Sequence, residues 1–503
     1  MAQYLYGAAV QGIQSFIFQT NKLQEIVGAS ELVEKICTNF FRENVRGFKE
    51  GNLILAAAGN IKYIFENETD CQDLVMRFPK VVMEIAPGIT ISQAVVKMDI
   101  ENPIDVLEKR LRIQRNKSLS VTDGIGLMVT ETARKTGGVG VKHGKEGVID
   151  LAQKLKQEEV QFANMKLVEK ILGSSKKFHD SFPFDIEKIV KGANLKNWIA
   201  VVHADGNNLG NKIMKLGEQL KGEQGMKAFK EFSKLLDKST IDAAKEAFNQ
   251  TIKNVVEKDE LKTIPFRPVV LGGDDFTGII RGDLALNFTE SFLENFERLS
   301  KENFKDYAEK FELKENPFQN GLTACAGIAF IKASYPFHYG VSLAESLCQE
   351  AKKHSKGINK EHSPSSLMFH KVQSSFVEEF DDIIESELKA KDNTYFNYGP
   401  YFISDQDNYG TIQELKNRIK AISKKDAPKS GLRNWLNELK NNPEVANQSL
   451  KRIASLKENE NYIKILNLEK PFPIHREEKK YTPIYDAISL SNLIKQKDEK
   501  NTL

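Results

Sequence analysis

Leu271-Gly272-Gly273-Asp274-Asp275-Phe276 sets two carboxylates side by side at a glycine-rich corner. The corner lies between two apolar, β-branched runs, Ile264 to Val270 and Phe276 to Ile280, which together read as a β-hairpin. Adjacent carboxylates repel each other and suit a strand poorly, unless a divalent cation sits between them. Hard cations such as Mg²⁺ take oxygen ligands, typically one or two carboxylates plus substrate phosphates. GGDD alone is equally compatible with an ordinary acidic turn.

A second acidic strand end lies upstream. Trp198 to Asp205 is an apolar run too short for a typical helix, and it ends in Asp205. Gly206-Asn207-Asn208-Leu209-Gly210 follows and leads into the helical pattern Lys212 to Leu216. A strand, a small turn and a helix N-terminus form a natural phosphate cradle, because backbone N–H groups and the helix dipole favour anions there. If the two strands are neighbours, Asp205 converges on Asp274 and Asp275. Three carboxylates can then hold two cations about 3.5–4 Å apart, the arrangement of in-line phosphoryl or nucleotidyl transfer. A third apolar strand, Gly321 to Ile331, precedes a helix with Val341, Leu343, Ala344, Leu347 and Ala351 on one stripe, ending in Lys352-Lys353. These cations suit a polyphosphate, although a solvated helix face is the commoner fate of lysine.

The order strand–Asp–helix, strand–GGDD–strand, helix–strand–helix–Ala-Lys resembles the palm domain of GGDEF-type and class III nucleotide cyclases. GGDD in place of GGDEF, with Ala-Gly-Ile-Ala-Phe-Ile-Lys-Ala-Ser-Tyr-Pro-Phe-His at 326–338, is similar to the large polymerase-like subunit of type III CRISPR–Cas effector complexes, in its Cmr-type branch. The resemblance implies Asp205, Gly206, Asp274 and Asp275 as metal residues, with the three aspartates catalytic. It also implies nucleotide contacts at Gly206, Asn207, Asn208, Leu209, Gly210, Gly272, Gly273 and Lys352. Where the family often has a second aspartate two residues after the first, this chain has Asn207, leaving the second cation one charge poorer.

An independent stretch supports the same family. Gly7 to Ile17 running into Lys22 to Leu32, with Ile-Gln-Ser-Phe-Ile and Gly-Ala-Ser-Glu-Leu, is similar to that subunit's first palm. The hairpin equivalent to GGDD, Leu53 to Ile64, has no carboxylate at its tip around Gly59-Asn60, so it cannot bind Mg²⁺ in the same way. The expected fold is α/β (α+β): two ferredoxin-like palms, a helical insert and a C-terminal all-α domain. Residues 1–128 form the degenerate palm, 129–195 an insert held by helix packing without a zinc site, 196–372 the catalytic palm with a helical insertion at 217–260, and 373–503 the helical domain. Thr136 to Lys145 is a near miss to a P-loop, one residue short and with Glu146 where Ser or Thr would bind Mg²⁺; it reads as a loop. His179-Asp180 reads as a chance HD dipeptide, and the family's HD nuclease is expected to be missing.

Length and composition agree. With 503 residues, three or four domains are expected, and 40% hydrophobic with 28% charged residues describes a soluble globular protein. A formal net charge of +3 gives no basic footprint that demands nucleic acid by itself. Four cysteines without a Cys-x-x-Cys pair support neither a zinc ribbon nor a disulfide framework. No apolar run approaches the roughly 20 residues of a membrane span, so no membrane partner and a cytoplasmic location are expected. No Gly-x-Ser-x-Gly or comparable hydrolase setting appears. The expected activity is metal-dependent nucleotidyl transfer with ATP as substrate and Mg²⁺ or Mn²⁺ as cofactor. By resemblance the product is a cyclic oligoadenylate or related cyclic nucleotide, an antiviral second messenger, with RNA, small effector subunits or a second copy as partners. The alternative is a non-catalytic scaffold subunit that binds RNA and small subunits.

Overall fold

The computed structural model describes residues 3–57, 59–100, 102–117, 129–134, 136–144, 147–163, 166–173, 178, 181–191, 197–373, 380–455, 474–476 and 478–494. Near the N-terminus, β1 (Tyr4–Gln11), β2 (Leu53–Ala57), β3 (Asn60–Phe65) and β4 (Thr90–Lys97) form one sheet in the order β2-β3-β1-β4. Every pairing in it is antiparallel. With α1 (Leu23–Lys35) and α2 (Glu68–Ile85) between strands, this is the expected ferredoxin-like palm. Tyr6, Phe41, Tyr63, Phe65 and Phe78 fill one face of it. The other face meets α3 (Pro103–Arg115) so closely that a Cβ on Gly7 would lie 2.7 Å from Leu107. At the β2/β3 tip Gly59 has φ +75°, and a Cβ would strike Ile13 at 2.3 Å, so glycine is required there.

The insert differs from expectation. Gly140–Gly144 is not a loop but strand β5, paired antiparallel with β6 (Gly147–Asp150). Alternating valines favour the pairing, and Gly140 is needed because a Cβ there would meet Val148 at 2.1 Å. A hairpin therefore joins helix packing in holding the segment. Asp150 Oδ1 accepts the Gln153 N–H at 2.8 Å at the start of α4 (Leu151–Ala163). Helix α4 then presses its Lys156 carbonyl against Gly28 of α1. Next comes α5 (Lys166–Leu172). His179 and Asp180 lie outside the described residues.

The second palm repeats the ferredoxin order. Strands β7 (Trp198–Gly206), β8 (Phe266–Gly272), β9 (Asp275–Arg281) and β10 (Ala324–Lys332) run side by side as β10-β7-β9-β8, and β11 (Ser366–Lys371) joins β10 in parallel. Helix α6 (Leu209–Gln219) leads into α7 (Gly222–Ala247), which with α8 (Ala285–Asn303) covers one face of the sheet. Phe266, Phe276, Phe288 and Phe292 stack between sheet and helix. The segment expected as an insertion at 217–260 thus supplies one of the palm's own covering helices. On the opposite face lies α9 (Phe337–Ile358), so near that a Cβ on Gly327 would fall 1.9 Å from the Ala344 carbonyl oxygen. The first palm closes on the same side: the Phe18 and Phe337 rings are 5.8 Å apart, and Asn21 Oδ1 accepts the Phe337 N–H at 2.8 Å.

The C-terminal region is not all-α. Strands β12 (Thr394–Tyr395), β13 (Tyr401–Phe402), β14 (Gly410–Thr411), β15 (Ile474–Arg476) and β16 (Lys479–Tyr481) lie in it. β13 pairs with β11, and β14 with β13, so the palm sheet continues to seven strands past residue 372. Two-residue strands carry no periodicity for a sequence reading to detect. Helices α10 (Ile412–Ser423), α11 (Lys429–Asn441) and α12 (Ile484–Ser491) pack around them, with Trp435 buried at the centre. Among the described residues no helix is long and apolar enough to cross a membrane.

Candidate metal and nucleotide site

Register brings the carboxylates together. Ala204 pairs with Phe276 across β7 and β9, so Asp205 and Asp275 stand one step beyond, opposite each other. Asp205 also faces Cys325 of β10. Residues directly opposite in antiparallel strands share a face, so His203, Asp205, Asp275 and Thr277 all point away from α7 and α8, toward α9 and the first palm. Asp274 sits at the tip after Gly273, whose φ of +62° turns the chain. One carboxylate oxygen from each of Asp205, Asp274 and Asp275 lies within 4.8 Å of the other two.

The hairpin tip is clamped from outside its own strands. Asp237 of α7 accepts the Gly273 N–H at 2.9 Å, and Thr240 of the same helix donates to the Gly273 carbonyl at 2.6 Å. Lys170 of α5 donates to the Leu271 carbonyl at 3.0 Å while paired with Glu34 of α1 at 3.0 Å. Ser30 of α1 donates to the Val269 carbonyl. Insert and first palm therefore fix the position of the second-palm hairpin.

Electrostatics mark the cluster as strained without a counter-charge. Burial, then the nearby Asp205 charge, push the Asp274 carboxyl up to about 7. Burial, then the Asp274 and Asp205 charges, push Asp275 well above the usual carboxylate range. Lys352 of α9 supplies one positive charge, donating to Asp205 Oδ2 and to the Gly206 carbonyl at 2.8 Å. One lysine does not balance three carboxylates, and a set of hard oxygen donors fits a divalent cation such as Mg²⁺ or Mn²⁺. Beside them His203 hydrogen-bonds Thr277 at 3.0 Å, and burial lowers its pKa to about 4, so the ring is neutral.

The other expected residues divide. Gly206 lies against Asp274, where a Cβ would come 3.1 Å from the aspartate Cβ, while Gly210 has open space around it on the first turn of α6. Asn208 caps α6 with φ +57°, and its amide donates to Ser363 at 2.7 Å. Leu209 is buried at the start of the same helix. The Asn207 side chain is 1% exposed; its amide donates to Thr323 at 3.2 Å and Ser363 at 3.4 Å, while its buried Oδ1 finds no donor. These bonds tie the turn to Thr323 and Ser363. Gly272 closes β8 opposite Asp275. Asp237, Thr240, Lys170 and Ser30 escaped the sequence reading, since each meets the hairpin from 33 or more residues away.

A cleft of about 420 Å³ opens beside Asp275, lined from the second palm by His203, Leu271 and Thr277 and from the first by Ile13, Ser15 and Gly59. It is of the size that small-molecule sites use. Residues 198–361 match the family model described as Cas10/Cmr2, second palm domain. No curated protein matches the chain. Among solved structures, a Csm1–Csm4 cassette in complex with cA4 superposes with a TM-score of 0.52 at 12% identity, covering 98% of this chain and 70% of that one. The same cassette in complex with one ATP gives 0.52 at 12% identity, and Csm1 from T. onnurineus 0.52 at 11%, each with the same coverage of 98% and 70%. Identities this low speak for the fold, and the family match speaks for the palm that carries the carboxylates. Residues 198–361 match the Cas10/Cmr2 second palm domain, and the chain around them has the two-palm fold of Csm1.

Proposed function

We propose that the protein is a metal-dependent nucleotidyltransferase that joins ATP into cyclic oligoadenylate in type III CRISPR defence. The convergence of Asp205, Asp274 and Asp275 at a palm hairpin carries this reading. A bound Mg²⁺ or Mn²⁺ pair supplies charge neutralisation at the α-phosphate and acidifies the attacking 3′-hydroxyl. The three carboxylates would hold it; burial, then mutual repulsion, raises the proton affinities of Asp274 and Asp275, and a cation would offset both. Gly206 keeps the floor beside Asp274 open, and Gly210 leaves the α6 N-terminus bare for phosphate oxygens. Lys352 orients Asp205 and brings a positive charge for the departing pyrophosphate. The inter-palm cleft gives a nucleoside room on apolar walls, with neutral His203 as a hydrogen-bonding group. Complexes of the similar Csm1–Csm4 cassette with one ATP, pppApA, cA3 and cA4 support the same ligands here. They also support a subunit of the Csm4 kind as partner; RNA is proposed on the family resemblance.

Residues 373–503 are assigned to regulated synthesis through partner subunits, RNA or self-association. Because β13 and β14 complete the palm sheet, deletion from Gln373 would expose the β11 edge, so charge reversals on α11 are the cleaner test. For the activity itself, the full chain is incubated with ATP and Mn²⁺ and the products are weighed by mass spectrometry. Pyrophosphate and cyclic adenylates are expected from the wild type and none from Asp274→Asn with Asp275→Asn. Equal ATP consumption by the double variant would overturn the assignment.

A further inference from the structure

Helix α9 has a second working face. Ala351, Lys352 and Ser355 look toward the sheet and Asp205, whereas Glu350, Lys353, His354 and Gly357 line a separate cavity of about 440 Å³ against the C-terminal strands. Its aromatic walls are Tyr395, Tyr409 and Tyr481; the Tyr395 and Tyr481 rings lie 5.6 Å apart. Below them Arg476 is 4% exposed, its guanidinium 3.9 Å from the centre of the Tyr409 ring and 4.9 Å from that of Tyr481. Its Nε and Nη1 donate to the Asn408 and Gly399 carbonyls, at 3.2 Å each, but buried Nη2 finds no acceptor. Asn397 lines the same cavity, and its buried Oδ1 finds no donor. Exposed Lys353 and Lys479 stand at the rim, the latter 5.2 Å from the Tyr395 ring centre. Among the described residues lining the cavity the one carboxylate is Glu350, already engaged by His354 at 3.3 Å and Lys353 at 3.4 Å.

An orphan donor on a buried cation, an orphan acceptor, flat aromatic walls and surplus positive charge specify the missing occupant. It is planar, carries an N–H donor, and ends in an anion. We propose that this cavity is a second nucleotide site, taking a nucleoside phosphate whose base bears an exocyclic amine, as a free nucleotide or as the 5′-phosphate end of an RNA. The phosphate meets Lys479, Lys353 and the Arg476 field, the base stacks on tyrosine, and the amine pairs with Asn397. None of these contacts involves Asp205, Asp274 or Asp275, so binding is independent of metal and of the activity proposed above.

The test is calorimetric titration of the full chain in EDTA with 5′-AMP, and with a short adenine-rich RNA with and without a 5′-phosphate. Saturable binding is expected, weakened at least tenfold by Tyr395→Ala and by Lys479→Glu and unchanged by Asp274→Asn with Asp275→Asn. Binding of AMP identifies a free nucleotide as the source; binding of the phosphorylated RNA alone identifies a chain end. Circular dichroism checks that the rim variants fold, and a milder Tyr395→Phe should retain binding. The site is overturned if neither probe binds in EDTA, if both rim variants bind as tightly as wild type, or if the palm double variant abolishes binding. Absence of adenylate synthesis with this binding intact would refute the palm assignment alone.

Discussion

Asp275→Asn keeps the side-chain shape and removes one of three converging charges. With the ligand oxygens within 4.8 Å, each pairwise repulsion amounts to about 3.5 kcal/mol at an effective dielectric of 20. Asp275 takes part in two of them, while its attraction to Lys352 works the other way. Suppressed ionisation absorbs a further part, so a net gain of roughly 2 kcal/mol is expected in metal-free protein. The sign with pH is fixed by the raised proton affinity. The folded state holds the proton more tightly than the unfolded one, so the repulsion is absent below the ordinary carboxylate pKa and full only above the folded one. The variant should therefore unfold at higher temperature than wild type in EDTA, by more at pH 8.5 than at pH 6. Saturating Mn²⁺ should reverse the order, since a ligand at a hundred times its Kd adds about 2.7 kcal/mol to the protein that binds it. Thermal unfolding monitored by circular dichroism, in EDTA and in Mn²⁺ at both pH values, reads all four cases. Equal Mn²⁺ shifts in the two proteins would refute the carboxylate cluster as a cation site.

Gly206→Ala should lower ATP turnover at least tenfold at a cost of about 1 kcal/mol in stability, because the new Cβ would meet Leu209 at 2.8 Å and Asp274 at 3.1 Å; denaturant titration and a pyrophosphate assay separate the two effects. Asp237→Ala leaves the Gly273 N–H without its partner and should cost about 1–3 kcal/mol, with turnover falling more than ATP affinity. Asp486 is fully buried, accepts from Tyr401 at 2.8 Å, and is pushed up to about 7 chiefly by burial. Its ionisation opposes folding above that value and the penalty fades as pH falls toward 4, so Asp486→Asn should flatten the pH dependence of the melting temperature and stabilise the chain most at pH 8. Gly327→Ala should destabilise by 2 kcal/mol or more, on the order of an overpacked core, since the Ala344 carbonyl oxygen would lie 1.9 Å from the added carbon. A melting temperature within error of wild type would contradict that packing.

What was legible in the sequence is what neighbouring residues impose on one another. The Gly272-Gly273 corner between β-branched runs, the apolar strand ending at Asp205 and the carboxylate-free tip at Gly59 all follow from local propensity, and the structure has each as a strand or turn. The hairpin β5/β6 was hidden by glycines that usually mark loops, although Gly140 is there to admit Val148. Strands of two residues at Tyr401–Phe402 and Gly410–Thr411 exist because β11 offers an unpaired edge, a cause outside their own sequence. The sequence supplied three aspartates and Lys352; tertiary structure decided that Lys352 grips Asp205, that Asn207 turns inward to Thr323, and that Asp237 and Thr240 clamp Gly273. Hydrogen bonds and charge pairs fall off within a few ångströms, and which residues come that close depends on strand register and helix packing across more than thirty residues of chain.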